Sequence, residues 1–291
     1  DEIGVGTMVD ESSAVALTDA APDLPRTLKK ILELDDGLER VRAAVDGRAA
    51  NIALDNIALE PVIPDPHAIW ALALNFQMHI QETSLTTSAE HPQLFLRIPA
   101  SQVGHGQSMV CPRPEVAKTY DYEGELAVII GRGGRYIDEA DALDHVAGYS
   151  CYNEGSVREF QNHNRQFGLG KNFENSGSFG PWMVTADEFG DPRNHTVTTR
   201  LNGIEKQHCG FDEMLFSVEQ VIRYLSTGYS LRSGDVIVMG TPGALPPGPN
   251  YVSGAQDSDR IPGRTHMKSD DVVEVEISGI GTLINPIIAS D

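Results

Sequence analysis

From residue 68 onward the chain consists of short β-type runs separated by glycine and proline turns, and this succession limits the fold more than any other feature. One amphipathic helix is predicted at residues 217–228, SVEQVIRYLSTG. Strand–helix–strand alternations are few, so the pattern predicts a β-rich α+β fold with a mixed or antiparallel sheet rather than a doubly wound one. The clearest β-type runs are IWALALNF (69–76), LAVII (126–130), TVTTRLNG (196–203), DVIVMGTP (235–242) and VVEVEISGIGTLINP (272–286).

The first 65 residues differ from the rest of the chain. Apolar residues recur there at helical spacing, and a proline-rich stretch, PVIPDP at 61–66, suits neither a helix nor the interior of a sheet. We therefore predict a small N-terminal α+β domain at 1–65 and a larger domain at 66–291. Residues 243–270, rich in glycine and proline, are interpreted as a flap or binding loop. The helical positions are Leu28, Ile31, Leu32, Leu38 and Val41.

The charge of the chain narrows the partners that it can have. Asp and Glu number 42 against 22 Lys and Arg, a formal net charge of -20, which argues against a partner that is nucleic acid or an anionic membrane. The three cysteines are widely spaced and form no C-x-x-C pair, so neither a disulfide framework nor a zinc site is indicated. We expect a cytoplasmic protein that acts on a small molecule.

Two glutamates precede a strand that should be buried. In YDYEGELAVII, residues 120–130, Glu123 and Glu125 share one face of the strand with Ala127 and Ile129, and Asp121 lies on that face nearer the strand's entrance. Burial of two ionised carboxylates is costly unless a cation compensates them. A divalent metal would do so, and an all-oxygen ligand set favours Mg2+, Mn2+ or Ca2+.

A second interpretation of this strand stays open, because Glu123 and Glu125 could equally lie at an exposed strand end and be solvated. Gly124 between them slightly favours the metal, since it leaves the opposite face open to close approach. A metal would also need a third acid nearby. The candidates are Glu154 and Glu159 in CYNEGSVREFQ.

Two further motifs have residue types suited to catalysis. His79 and Glu82 are three residues apart, which on a helical turn places a carboxylate beside an imidazole, as activation of water by a general base requires. A solvated surface pair is the alternative. Lys171 in GLGKNF is either a surface lysine or a fixed cation facing an anionic oxygen. The glycines of GRGGRY and GLGK lack the strand and helix context of phosphate-binding loops.

Five ordered blocks resemble the fumarylacetoacetate hydrolase family, and the resemblance extends over residues 69–286. It implies a mixed β-roll catalytic domain at 66–291 with a small N-terminal domain, usually in a homodimer. It also implies that Glu123, Glu125 and Glu154 bind Mg2+ or a similar ion. The blocks are DYEGELAVIIG, GYSCYNEGSVREFQ, GKNFENSGSFGPW, SGDVIVMGTPG and VEVEISGIGTLIN.

The same resemblance implies roles for other residues. His79, oriented by Glu82 on a mobile lid, would activate water, and Lys171 would stand beside the metal. The residues that would contact substrate are Arg97, Arg158, Gln161 and Thr241; for Arg158 the alternative is a pair with the acids around it. This chain departs from the family pattern in having Phe76 for Tyr, Glu154 for Asp, and Ala-Leu-Pro at 244–246 for Gly-Val-Gly.

The function that the resemblance implies is a metal-dependent hydrolase. It would cleave a carbon–carbon bond in a 2,4-dioxo acid of the acylpyruvate type, giving a carboxylic acid and a 2-oxo acid such as pyruvate. The first alternative is a decarboxylase or isomerase of a related 2-oxo acid in aromatic catabolism. A further alternative is an inactive binding or scaffold protein on the same fold.

Overall fold

The computed structural model describes residues 3–77, 90–164, 166–244 and 265–291. Its strands are β1 (Gly6–Asp10), β2 (Ser13–Ala16), β3 (Ile52–Ala53), β4 (Ile69–Ala73), β5 (Gln93–Arg97), β6 (Gln102–Val103), β7 (Met109–Cys111), β8 (Tyr120–Asp121), β9 (Gly124–Ile130), β10 (Val146–Asn153), β11 (Ser156–Val157), β12 (Gly177–Thr185), β13 (Thr196–Leu201), β14 (Ile204–Gly210), β15 (Val236–Val238), β16 (Val272–Ile277) and β17 (Gly281–Ala289). The α-helices are α1 (Leu17–Ala20), α2 (Leu28–Leu32), α3 (Gly37–Val45), α4 (Arg158–Gln161), α5 (Ala186–Phe189) and α6 (Val218–Gly228).

Two large mixed sheets form the body of the protein. A seven-stranded sheet has the order β5-β4-β15-β9-β10-β12-β6, and a five-stranded sheet has the order β14-β13-β16-β17-β7. Strand β9 lies in the centre of the larger sheet, antiparallel to both β10 and β15. The predicted β-rich α+β fold is therefore confirmed.

Strand β9 is buried on both faces, and its side chains alternate between two apolar clusters. Leu126, Val128 and Ile130 belong to one cluster, whereas Ala127 and Ile129 belong to the other. This two-residue period is the one predicted from the sequence. With this period, Glu125, two positions before Ala127, lies on the same side of the sheet as Ala127.

The two large sheets approach each other closely at Gly124, the first residue of β9. A Cβ atom at this position would lie only 2.1 Å from the Oγ1 atom of Thr199 on β13. No side chain larger than hydrogen fits there without displacing β13. The close approach predicted on this face of Gly124 is therefore observed.

The predicted helix at 217–228 is confirmed as α6. The hydroxyl of Ser217 accepts a hydrogen bond from the backbone N–H of Gln220, whose side chain accepts one from the N–H of Ser217 in turn. This capping box satisfies two N–H groups that the first helical turn leaves without partners. The buried side of the helix includes Val218, Val221, Ile222 and Leu225.

Residues 3–65 form a three-stranded sheet, β1-β2-β3, with α1, α2 and α3. The apolar pattern predicted as helical is divided between α2 and α3. The turn between them brings Gly37 against the carbonyl of Ile31, where a Cβ atom would lie at 2.0 Å. Leu32 and Ile63 pack with Ile69 of β4 in one buried cluster. The domain boundary at residue 65 stays a prediction.

The structure contains no helix, within the described ranges, that is both long enough and apolar enough to cross a lipid bilayer.

Candidate metal centre

Three carboxylates converge at the beginning of β9. Glu123 immediately precedes the strand, Glu125 lies within it, and Glu154 follows the end of β10, whose Asn153 pairs with Gly124. The backbone N–H of Glu154 donates to the carbonyl of Glu123 at 2.8 Å, so the antiparallel pairing itself brings the third acid to the first two. One oxygen from each carboxylate lies within 4.8 Å of the other two.

All three glutamates are buried, with no more than 2% of any of them exposed. The alternative in which Glu123 and Glu125 are solvated at an exposed strand end is therefore wrong. Glu154 is the third acid that the structure brings to them. The other candidate, Glu159, instead accepts hydrogen bonds from Thr119 and from the backbone N–H of Lys118.

Two carboxylate oxygens of the cluster accept no hydrogen bond from the described residues. Oε2 of Glu125 accepts a hydrogen bond from the N–H of Gly240 at 2.6 Å, but Oε1 of Glu125 and Oε1 of Glu154 have no donor among the described residues. Burial, and then the negative charges of Glu154 and Glu123, raise the pKa of Glu125 well above its ordinary value. Two buried oxygens that accept no hydrogen bond, in an acidic cluster, fit a bound cation.

Lys171 is a fixed cation inside this cluster. Its Nζ atom donates to Oε2 of Glu123 at 2.5 Å and to Oε2 of Glu154 at 2.7 Å, and the residue is 3% exposed. The surface-lysine alternative is wrong. Burial raises the pKa of Glu154, and the positive charges of Lys171 and Arg97 oppose that rise.

Arg158, at the beginning of α4, faces two acids and an amide. Its Nε and Nη2 atoms donate to Oδ2 of Asp121 at 2.8 and 2.6 Å. The Nη2 atom also lies 2.6 Å from Oε1 of Glu123. The Nη1 atom donates to Oε1 of Gln161 at 2.7 Å. Burial lowers the pKa of Arg158, but the charges of Glu123 and Asp121 outweigh it and raise the pKa overall. Substrate contact by Arg158 and Gln161 stays a prediction.

Arg97, predicted to contact substrate, is buried close to Glu154. Its Nη1 atom donates to the carbonyl of Gly155 at 3.2 Å, and Nη2 donates to the hydroxyl of Ser176 at 3.3 Å. Nη1 is also 3.7 Å from Oε1 of Glu154. These contacts with protein groups favour a role in holding Glu154 over the predicted contact with substrate.

Thr241 is also close to the carboxylates, in the loop that follows β15. Its hydroxyl donates to the carbonyl of Gly124 at 3.1 Å and accepts from Nε2 of Gln207 at 2.8 Å. Sequence reasoning missed Gln207, a fully buried residue on β14. No local signal singles it out, because its partners lie 34 and 83 residues away along the chain.

Asn75, also missed, fixes two of the segments around the centre. Its Nδ2 atom donates to the carbonyls of Met239 and Phe216 at 2.8 and 3.1 Å, and its Oδ1 atom accepts from the N–H of Phe216 at 2.8 Å. The bond to Met239 holds the turn in which Gly240 has a φ of 88° and points its N–H at Glu125. A positive φ at this value favours glycine.

His79 and Glu82, the predicted proton-transfer pair, lie outside the described residues, as does 245–264 of the predicted 243–270 loop. Phe76, three positions before His79, is buried. Together with Asn75 it anchors the chain just before that pair.

The charges of the centre nearly balance. Four carboxylates face three cations among the described residues, so the cluster with every group ionised has one net negative charge, and a divalent ion would change this to one net positive charge. The acids are Asp121, Glu123, Glu125 and Glu154, and the cations are Arg97, Arg158 and Lys171.

Comparison with known proteins agrees with the fold. The family model for the fumarylacetoacetate (FAA) hydrolase C-terminal domain matches residues 68–288. The chain belongs to the fumarylacetoacetate hydrolase family. The predicted membership is thus confirmed, and the matched range agrees with the 69–286 inferred from the five sequence blocks.

Three relatives illustrate the similarity to this family. Oxaloacetate tautomerase YisK of Bacillus subtilis is 34% identical over 81% of this chain and 74% of its own. Oxaloacetate tautomerase fahd2, mitochondrial, of Xenopus laevis is 32% identical over 96% of this chain and 84% of its own. The solved fumarylacetoacetate hydrolase of Exiguobacterium antarcticum is 30% identical, with a TM-score of 0.75 over 98% of this chain and 95% of that chain.

Proposed function

We propose that this protein is a divalent-metal-dependent isomerase that interconverts the keto and enol forms of a small 2-oxo acid, with oxaloacetate as the first substrate to test. The observation that carries the proposal is the buried cluster of three glutamates, two of whose oxygens accept no hydrogen bond from the described residues. Two relatives named as oxaloacetate tautomerases support isomerisation over hydrolysis. The isomerase alternative therefore moves ahead of the carbon–carbon hydrolase.

Glu123, Glu125 and Glu154 would hold the ion. Their ligand atoms are all carboxylate oxygens, which suit Mg2+ best, with Mn2+ and Ca2+ as the other candidates. When bound, such an ion supplies Lewis acidity at a 2-oxo group and so acidifies the neighbouring carbon.

The remaining chemistry belongs to side chains of the chain itself. Lys171 is held between Glu123 and Glu154. Its positive charge would stabilise the negative charge that develops on the substrate. In the keto-to-enol direction His79, oriented by Glu82, would remove a proton from the carbon next to the 2-oxo group, and the 2-oxo oxygen would take up a proton to give the enol. In the reverse direction the enol oxygen would lose its proton and the carbon would regain one from His79. Those two roles rest on the H-x-x-E sequence and on the family resemblance.

Hydrolysis of a 2,4-dioxo acid is the second candidate, supported by the similarity to the Exiguobacterium hydrolase. The same residues would serve it if His79 activated water instead of removing a proton from carbon. Product analysis separates the candidates, because hydrolysis gives two organic fragments, decarboxylation gives CO2, and isomerisation gives neither. An inactive scaffold would give no turnover with any substrate.

The experiment follows the absorbance of enol-oxaloacetate as it converts to the keto form, with metal-free protein and after addition of Mg2+. We expect Mg2+-dependent acceleration, and a loss of about 100-fold or more in kcat for His79→Ala, the scale of a missing general base. Lys268→Ala, which removes an ion pair with Asp271 just before β16, is the matched control and should retain its kcat. No acceleration over buffer with Mg2+ present would refute the proposal.

The predicted homodimer and cytoplasmic location belong to this proposal as well. Sedimentation of the purified chain tests the dimer.

A further inference from the structure

We infer that Gln207 is a positioning residue for the candidate metal centre, although it belongs to the other large sheet. The inference rests on the proposed function, because it concerns the same three carboxylates. Gln207 lies on β14, with its side chain fully buried. A buried amide of this kind is stable only if its donors and acceptor are satisfied.

The amide of Gln207 is satisfied by two chain segments of the site. Oε1 accepts a hydrogen bond from the N–H of Gly124 at 3.0 Å, and Nε2 donates to the hydroxyl of Thr241 at 2.8 Å and to the carbonyl of Pro242 at 2.7 Å. The Thr241 hydroxyl donates in turn to the carbonyl of Gly124 at 3.1 Å. Gln207 and Thr241 therefore close a ring of hydrogen bonds around both polar groups of Gly124.

This ring acts on the residue that separates two candidate ligands. The backbone of Gly124 determines how the carboxylates of Glu123 and Glu125 are directed relative to each other. Glycine restrains its own backbone less than any other residue, and the contact with Thr199 excludes a side chain that could restrain it. The amide of Gln207 supplies that restraint from outside the strand.

The ring also ties the loop after β15 to the same point. Gly240, directly before Thr241, donates its N–H to Oε2 of Glu125. A shift of Thr241 and Pro242 away from Gln207 would therefore change the hydrogen bond to Glu125 as well as the direction of Glu123. Residues behind metal ligands typically contribute 10–100-fold to metal affinity, which sets the size of the expected effect.

The test compares Gln207→Met with Gln107→Met. Gln107 is a matched control, since its amide also links two backbone segments, accepting from the N–H of Gly104 at 3.1 Å and donating to the carbonyl of Leu59 at 3.0 Å. Mg2+ and Mn2+ affinities of metal-free protein are measured by calorimetry, and stability by urea unfolding. We expect both variants to lose stability, but only Gln207→Met to bind the ions about tenfold or more weakly.

A second pair of variants changes Thr241, the other side chain in the ring of hydrogen bonds. Thr241→Val removes the hydroxyl at nearly constant shape, whereas Thr241→Ser keeps it, so the serine variant should bind Mg2+ more tightly than the valine variant. Combining Gln207→Met with Thr241→Val should weaken affinity by less than the product of the single effects, because both changes break one ring. If Gln207→Met does not fold, this serine and valine pair still provides the test.

Two different failures can be told apart. Wild-type protein that binds neither ion would refute the proposed metal centre and this inference with it. Wild-type protein that binds the ions, together with Gln207→Met within twofold of it, would overturn the inference alone and leave the proposed function standing.

Discussion

Asp121 and Glu125 lie four residues apart in one segment of the chain, and both are buried, but their surroundings differ. Asp121 receives two hydrogen bonds from the guanidinium of Arg158. Glu125 receives one backbone N–H and keeps an oxygen without a partner among the described residues. A buried acid with its own cation stabilises the fold, whereas a buried acid that lacks one is available to a ligand.

Glu125→Gln tests the ligand side of this contrast and should have the largest effect. We expect Mg2+ affinity to fall by more than about 100-fold, beyond the range for residues behind a ligand, because one of three carboxylates is lost. The variant keeps an acceptor for the N–H of Gly240, so the metal-free protein should be at least as stable as wild type. Calorimetry and urea unfolding measure the two quantities.

A Glu125→Gln variant that bound Mg2+ as tightly as wild type would remove Glu125 from the candidate ligands. The contrast with Asp121 would then have no functional meaning.

Asp121→Asn tests the structural side. We expect the free energy of unfolding to fall by about 2 kcal/mol, because the charge-assisted pair with Arg158 is replaced by a neutral contact in the interior. Mg2+ affinity should change less than in Glu125→Gln. Urea unfolding at neutral pH measures the loss, and a variant as stable as wild type would contradict the role given to Asp121.

The pH dependence of ion binding sharpens the contrast further. The pKa of Glu125 is raised by burial and by Glu154 and Glu123, so the metal-free protein holds a proton there at a pH where an exposed glutamate has lost it. The protonated form of Glu125 therefore contributes to the stability of the metal-free protein. This contribution is fully present below the ordinary pKa of glutamate and is lost as the pH rises through the raised pKa of Glu125. An ion must displace the proton, so we expect affinity to weaken as pH falls, by up to about tenfold per pH unit for one proton.

Calorimetric titrations of Mg2+ at several pH values, in buffers of different ionisation enthalpy, count the protons released. If no proton is released and the Mg2+ affinity does not change with pH, Glu125 is already ionised before the ion binds.

Glu154→Asp should have the smallest effect. In the wild-type protein, Oε2 of Glu154 lies 2.7 Å from Nζ of Lys171. The shorter aspartate keeps the charge but moves its oxygens away from Lys171 and from the other two carboxylates. We expect Mg2+ affinity to change by less than about tenfold, with the ratio of Mn2+ to Mg2+ affinity changing as well. Calorimetry with both ions measures the ratio; a loss as large as that of Glu125→Gln would mean that the longer side chain is essential.

Local sequence patterns were sufficient for part of this structure. The two-residue period of β9 predicted that Glu123 and Glu125 share a side, and the amphipathic pattern at 217–228 predicted α6. Both features depend on residues within a few positions of one another. Strand β10 lacks this kind of signal, because it is buried on both faces and its sequence, VAGYSCYN, does not alternate between apolar and polar residues.

The partners of the buried polar groups could not be predicted in the same way. Arg158 reaches Asp121 across 37 residues, and Gln207 reaches Gly124 across 83. Sheet order brings these residues together, and nothing in their immediate sequence specifies it. Arg97 shows the same limit, since a guanidinium suited to clamp a substrate carboxylate is equally suited to carbonyl and hydroxyl groups of the protein.

The charge balance of the centre has a consequence for the order of events during turnover. With a proton on Glu125 the cluster of four acids and three cations is neutral. Exchange of that proton for a divalent ion removes one positive charge and adds two, so the cluster then has a net charge of +1. A dianionic substrate is attracted only to the second form. We therefore expect compulsory-order kinetics, in which the ion binds first and the organic acid has little affinity for the protein without it.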